Sequence, residues 1–265
     1  MTDSDTVPQI LREDVNGIVT LTFNRPDKLN AVSNSMLDVI RQAVRDLAED
    51  DSLRVMVITA TGKYFTAGAD ITALPVGDIG PGVSGSEFRR NYRRLHELFD
   101  EIEAIEKPVI LAAQGPCLGI GVELSASCDF RIASTNATFG LPEVKSIATL
   151  PGSGGISRLT RLIGPHWVKW MAMACQNLDA QQALAAGLLH AVFEPNDLQT
   201  RVRALAEDLI SQPAEAVGVA KIVIDAAANS DRTSARDLDR LANTHLVLND
   251  EHWSRVEAFR AKSRR

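Results

Sequence analysis

The feature that most constrains this chain is a glycine-rich turn joining an apolar strand to an apolar helix, Gly115-Pro116-Cys117-Leu118-Gly119-Ile120-Gly121-Val122-Glu123-Leu124. It follows Pro108-Val109-Ile110-Leu111-Ala112-Ala113, an unbroken apolar run that reads as a buried strand, and it enters a helix predicted from Val122 to about Ser127. Three glycines at such a turn let the backbone come close to a ligand. The unpaired amides of the helix's first turn then point at negative charge. A dinucleotide site uses the same device, but it belongs at the first strand–helix turn of its domain, and here two strand–helix units come first. A short-chain reductase would need a tyrosine followed four residues on by lysine, a pattern that Tyr64 and Tyr92 both lack. No glycine–lysine pair is followed by Ser or Thr, so a Walker-type phosphate loop is excluded as well.

The two preceding units are readable from periodicity. Gly17-Ile18-Val19-Thr20-Leu21-Thr22-Phe23 alternates as a half-buried strand does, and Asn24-Arg25-Pro26-Asp27-Lys28 ends it with turn chemistry. Residues 34–49 carry Met36, Ile40, Ala43, Val44 and Leu47 at helical spacing, with Ser33 as the predicted N-cap. Val55-Met56-Val57-Ile58-Thr59 is a second buried strand, closed by Thr61-Gly62-Lys63. The glycines and prolines of residues 74–86 predict a flexible loop of the kind that forms lids. A helix follows from about Glu87 to Glu106, with Phe88, Tyr92, Leu95, Phe99, Ile102 and Ile105 on one face. Its first half is basic and its second acidic, which predicts a solvated face with internal pairs. From Asp197 onward the pattern is helical, and the last segment, Arg255 to Arg265, is net basic with Phe259 as its apolar anchor. This alternation predicts an α/β core followed by a helical module.

Composition narrows the class of function. A net charge of −6 is the wrong sign for a polyanion-binding surface, so no nucleic-acid partner is expected. No apolar run approaches the roughly 18 residues that span a bilayer, so no membrane partner is expected. The opening Met1-Thr2-Asp3-Ser4-Asp5 has no apolar signal core, and Cys117, Cys128 and Cys175 are too few and scattered for a disulfide framework. The expectation is a cytoplasmic enzyme. Its five histidines show no pair at metal-ligand spacing, so no metal is predicted.

Two carboxylates stand beside glycine turns. Glu123 lies in the first turn of an otherwise apolar helix, where it could serve only as a partner of the helix dipole. Glu143, in Phe139-Gly140-Leu141-Pro142-Glu143-Val144, sits among apolar residues and precedes a further glycine turn, Leu150-Pro151-Gly152-Ser153-Gly154-Gly155. If the fold joins them they can act as an acid/base pair; spacing alone leaves both readings open. Ser125, Ser127 and Ser153 have no histidine nearby in sequence for a triad and read as helix and turn residues.

These blocks resemble the enoyl-CoA hydratase/isomerase (crotonase) superfamily. The resemblance rests on Phe65-Thr66-Ala67-Gly68-Ala69-Asp70-Ile71, on Gly115 through Asp129 and on Phe139 through Leu159. Phe23 through Ala31 and Ala180 through Leu188 match as well, so that it covers roughly residues 13–262 in the family's order. It implies a spiral of ββα units over residues 1–195, carrying an acyl-CoA site, and a C-terminal helical oligomerisation module over 196–265 that builds homotrimers or hexamers. It implies an oxyanion hole formed by the backbone N–H groups of Ala69 and Ile120, and a water added across a C2=C3 bond with Glu123 as base and Glu143 as proton donor. The family usually has glycine at the position of Ile120; the main-chain donor is kept, while the side chain is expected to narrow or reshape the acyl pocket. Lys28, Leu29 and Ala31 match the strip that cradles the CoA adenine. Ala67, Asp70 and Ile71 match the thioester and pantetheine side, although Asp70 could equally cap the following helix. Phe259 and Lys262 match a terminal helix that approaches CoA, and residues 74–86 match the variable loop that shapes the acyl pocket. No cofactor is implied, coenzyme A being part of the substrate. The implied reaction is hydration of a 2-enoyl-CoA; the alternatives are a 3-enoyl to 2-enoyl isomerase, a specialised hydratase or dehydratase, and a non-catalytic CoA-binding scaffold.

Overall fold

Val55 to Ala60 is buried along its whole length because both faces of the strand are covered. Met56 and Ile58 face the main core, while Val55 and Val57 face a second cluster with Ile110, Ala112 and Ile132. A strand covered on both sides reads as a continuous apolar run, which is why this one was legible. The structure, a computed structural model, describes residues 7–71 and 84–263. The loop predicted over 74–86 lies outside the described residues up to 83, and Ser84 caps the helix that follows.

The chain winds through two sheets. The larger has the strand order β1 (Ile10–Val15), β2 (Ile18–Phe23), β3 (Val55–Ala60), β4 (Val109–Ala113), β6 (Phe130–Ser134), β9 (Ala191–Phe193). Only the β1–β2 hairpin in it is antiparallel. The smaller joins β5 (Cys117–Leu118), β7 (Thr138–Gly140) and β8 (Leu178–Asp179), and is continued by the bridges Thr66 to Cys117 and Val32 to Ala69. Each of the first four turns therefore runs from a strand of the large sheet to a strand or bridge of the small one, then into a helix. The helices are α1 (Asn34–Glu49), α2 (Gly85–Ala104), α3 (Ile120–Ser127) and α4 (Glu143–Ile147), with α5 (Gly155–Ala172) next along the chain. This is the ββα spiral.

Local chemistry explains the helix ends. Ser33 accepts a hydrogen bond from Met36 N–H as predicted, and Ser84 does the same for Glu87. α3 begins at Ile120, two residues before the sequence reading, because Gly119 turns the chain directly into it. The acidic half of α2 does not pair within its own helix: Asp100 and Glu103 bind the buried Arg158 of α5, while Arg93 and Glu97 form the exposed internal pair that was expected.

After α6 (Ala180–Ala185) and β9 the chain is helical, as α7 (Leu198–Ser211), α8 (Ala214–Asn229), α9 (Arg232–Val247) and α10 (Asp250–Lys262). Leu198, Val202 and Ala206 of α7 seal the second face of the large sheet. The sequence division at 195/196 thus falls between the sheet and a helix that covers it, whereas α8 to α10 bury Gly218 alone. Lys221 anchors α8 to the core by donating to Asp129 Oδ2 at 2.9 Å and to the Ile102 carbonyl at 3.0 Å.

Candidate active site

The small sheet brings the first two glycine blocks side by side. Thr66 N–H donates to Pro116 O and Leu118 N–H to Thr66 O, at 3.1 and 3.0 Å, which lays residues 66–68 along the Cys117 strand. Gly119 then turns with φ 54° and ψ −122°. A side chain there would stand 3.6 Å from Gly68 Cα and 2.7 Å from Glu143 Oε1, so only glycine admits all three groups at this point. Ala69 and Ile120, each one residue past these glycines, are thereby neighbours. The bridge to Val32 uses Gly68 O and Asp70 N–H, which turns the intervening Ala69 N–H away from it. Ile120 is the first helical residue and has no partner one turn back. Neither amide donates to another described residue. Ile120 is 5% exposed and belongs to the main core cluster.

Glu123 is buried, 3% exposed, and its carboxylate does not serve its own helix. Oε1 accepts from Ser153 N–H at 2.8 Å and from Gly155 N–H at 3.2 Å, the turn and first residue of α5. Burial pushes its pKa up, and the two amide donors oppose the rise. Glu143 opens α4, and its Oε2 is buried without a hydrogen-bond partner among the described residues. Burial, with the charge on Glu123 adding to it, raises its pKa to about 7. The two environments therefore differ: the amides of Ser153 and Gly155 favour the ionised form of Glu123, while burial and the Glu123 charge outweigh what the backbone at Glu143 does for its own carboxylate. With its pKa near 7, Glu143 is the member of the pair poised to hold and give up a proton near neutral pH.

Tyr92 was read from sequence only as a core position, yet its ring packs on the Gly152 backbone, and the charges of both Glu123 and Glu143 help burial to raise its pKa. His96, one turn on, contacts the Gly152 carbonyl through Nε2 at 2.5 Å. A phenol within the apolar stripe of α2 was the available signal. Asn30, inside the matched block Phe23 to Ala31, has a bracing role that its sequence position does not reveal. It is fully buried and donates from Nδ2 to Thr61 O and Tyr64 O, both at 2.8 Å, fixing the loop before the Ala69 turn.

The other sequence candidates divide into two groups. Lys28, Leu29 and Ala31 lie beside the Ala67 turn, since Ala67 N–H donates to Leu29 O at 2.9 Å. Their own N–H groups are all used internally, by Arg25 O, Pro26 O and Lys28 O, so this strip can offer carbonyls but no amide donors. Asp70 binds Arg25 through Oδ2 at 3.0 Å, and Ile71 is exposed. Phe259 and Lys262 are on α10 and exposed; Phe259, 71% exposed, does not anchor the tail within the chain, since α10 buries none of its residues. Among the described residues no group of three or more His, Cys, Asp or Glu side chains could hold a metal ion, and no helix is long and apolar enough to cross a membrane.

A spiral of ββα turns with paired carboxylates beside two unpartnered amides is the frame of an acyl-CoA enzyme class, and comparison with known proteins agrees. The family described as enoyl-CoA hydratase/isomerase matches residues 13–264. The short-chain-enoyl-CoA hydratase of Clostridium acetobutylicum is 32% identical over 94% of this chain and 94% of its own. The crotonyl-CoA hydratase of Syntrophomonas wolfei is 37% identical over 87% of this chain and 84% of its own. The crystal structure of an enoyl-CoA hydratase from Bacillus anthracis superposes with a TM-score of 0.87 at 29% identity, covering 96% of this chain and 97% of that one. The chain belongs to the enoyl-CoA hydratase/isomerase family.

Proposed function

We propose that this protein hydrates a short 2-enoyl-CoA thioester to the 3-hydroxyacyl-CoA. The observation that carries the reading is a pair of sheltered carboxylates in unlike surroundings: Glu123 Oε1 accepts from two amides, while Glu143 Oε2 is buried without a hydrogen-bond partner among the described residues. In this scheme Glu123 takes a proton from water as its oxygen bonds to C3. The C2=C3 electrons move toward the thioester, whose oxygen gains charge and is held by the N–H groups of Ala69 and Ile120. Glu143 then delivers its proton to C2. Preorganised amides serve here because they need no reorganisation as charge develops. No cofactor takes part, and the CoA of the substrate lies along Lys28–Ala31, Ala67, Asp70 and Ile71. A short acyl group is favoured by the names of the two relatives, which act on short-chain enoyl-CoA and crotonyl-CoA.

The working form in this proposal is a homotrimer or a hexamer made of two trimers. Support comes from the exposed apolar residues from α8 onward, among them Ile224, Leu241, Leu248, Trp253 and Phe259, which a second copy would cover. Such packing would bring Phe259 and Lys262 to a neighbour's CoA. Three free cysteines suit a reducing compartment, the cytoplasm. Hydration of crotonyl-CoA and of longer 2-enoyl-CoAs tests the activity, and absence of turnover at every chain length rejects it. Isomerisation of a 3-enoyl-CoA without hydration would move the assignment to the family's isomerases. Light scattering on the eluting protein tests the assembly, and a monomer rejects it.

A further inference from the structure

The turn that carries the Ala69 amide is held by a side chain from the preceding turn of the spiral, 45 residues before Asp70 in the chain. Arg25 stands in the loop after β2, and its Nη1 donates both to the Ala31 carbonyl at 2.8 Å and to Asp70 Oδ2 at 3.0 Å. The two side chains are 17% and 13% exposed, so the pair is sheltered from solvent. Beneath it, Val32 N–H donates to Gly68 O and Asp70 N–H to Val32 O, both at 2.9 Å. Arg25 N–H in turn binds Asn30 Oδ1 at 2.8 Å, and Thr66 Oγ1 binds Asn30 O at 2.7 Å. Both flanks of Ala69 are therefore referenced to one loop: Gly68 through Val32, and Asp70 through Val32 and Arg25. Ala69 itself makes no such contact with its own N–H, and its preceding residue is a glycine at φ 110°, a soft joint. Arg25 also reaches the amide through the backbone: the Ala31 carbonyl it binds shares a peptide with the Val32 N–H, and the Gly68 carbonyl that accepts from Val32 N–H shares a peptide with the Ala69 N–H.

We infer that Arg25 is a positioning residue for the reaction: its ion pair with Asp70 sets the angle at which the Ala69 N–H meets the thioester oxygen. This rests on the reading of the Ala69 and Ile120 amides as the pair that holds that oxygen. Hydrogen bonds weaken steeply as the donor angle closes, and the site acts through donors aimed in advance. A small rotation of this peptide therefore lowers the rate without removing the cradle that binds CoA. The sequence expectation that Asp70 either caps a helix or touches ligand gains a third role, the one its partner defines. Because a single guanidinium nitrogen meets both acceptors, a lysine ammonium reaching the same point can restore part of the effect.

The test uses full-length Arg25→Ala, Arg25→Lys and Asp70→Asn proteins, each checked by thermal melting. Crotonyl-CoA kinetics are combined with the absorption shift of a bound conjugated enoyl-CoA chromophore, which reports polarisation of the thioester carbonyl. Arg25→Ala and Asp70→Asn should lose about 10- to 100-fold in kcat. For Arg25→Ala KM should stay within about threefold, the red shift should shrink in both variants, and Arg25→Lys should fall between. If Arg25→Ala does not fold, the isosteric Asp70→Asn decides. A kcat within about twofold of wild type, a rise in KM alone or an undiminished red shift overturns the role of Arg25. Absence of any red shift in the wild-type protein overturns the reading of the two amides, and this role with it.

Discussion

Replacing Gly155 with alanine puts a methyl group where the Glu123 side chain already stands. The added carbon would lie 2.5 Å from Glu123 Cγ and 2.6 Å from Oε1, whereas ordinary contact begins at 3.4 Å. The carboxylate must therefore move by about 1 Å, away from the Ser153 and Gly155 amides that hold it. A displacement of that order costs about 100-fold in rate. The backbone at Gly155 is helical and accepts alanine, so the fold loses only about 1–3 kcal/mol of packing, part of which helix propensity offsets. The expected protein is folded, melts a few degrees lower and hydrates crotonyl-CoA about 100 times more slowly. Stopped-flow or steady-state hydration alongside a thermal melt measures both quantities. A Gly155→Ala protein with kcat within about twofold of wild type would refute the placement of Glu123 as the base.

The pH profile of kcat/KM should be a bell. Its alkaline limb should fall near 7 as Glu143, raised by burial and by the charge of Glu123, gives up the proton it must deliver. Its acid limb should fall as Glu123 takes one up; a profile flat from 6 to 9 would contradict the assignment. The same group links to stability. The folded chain holds the Glu143 proton more tightly than the unfolded chain does, so stability falls as pH rises from about 4.5 to about 7. Glu143→Gln should remove that part of the pH dependence in thermal melts between pH 5 and 8. Lys221→Met leaves the half-buried Asp129 without its cation and should cost about 1–3 kcal/mol in urea unfolding; a loss under about 1 kcal/mol would show that Lys221 does not anchor α8.

Elements with strong local signals were legible in the sequence, and contacts between distant segments were not. β3 and β4 are apolar runs that allow no other reading, and Ser33 caps α1 through a bond three residues away. β8 and β9, of two and three residues, carry too little pattern to stand out. At the site, Glu123 and Glu143 could be picked out because each adjoins a glycine turn. What holds Glu123 lies 30 and 32 residues further on. Local reasoning therefore offered its own helix dipole as the alternative, where the structure uses the start of α5. Arg25 and Asp70 are 45 residues apart, and the carbonyls that Asn30 binds are more than 30 away. Only the return of each spiral turn to the small sheet brings such pairs together.

The central claim is that the two glutamates divide one hydration between them, as base and as acid. Hydration of crotonyl-CoA by Glu123→Gln and by Glu143→Gln tests it most directly, since each change keeps the shape and removes one proton-transfer group. Both variants should lose about 100- to 10,000-fold in kcat, and the double variant should lose little more than the worse single one. If either single variant keeps nearly full hydration activity, the pair does not work as described.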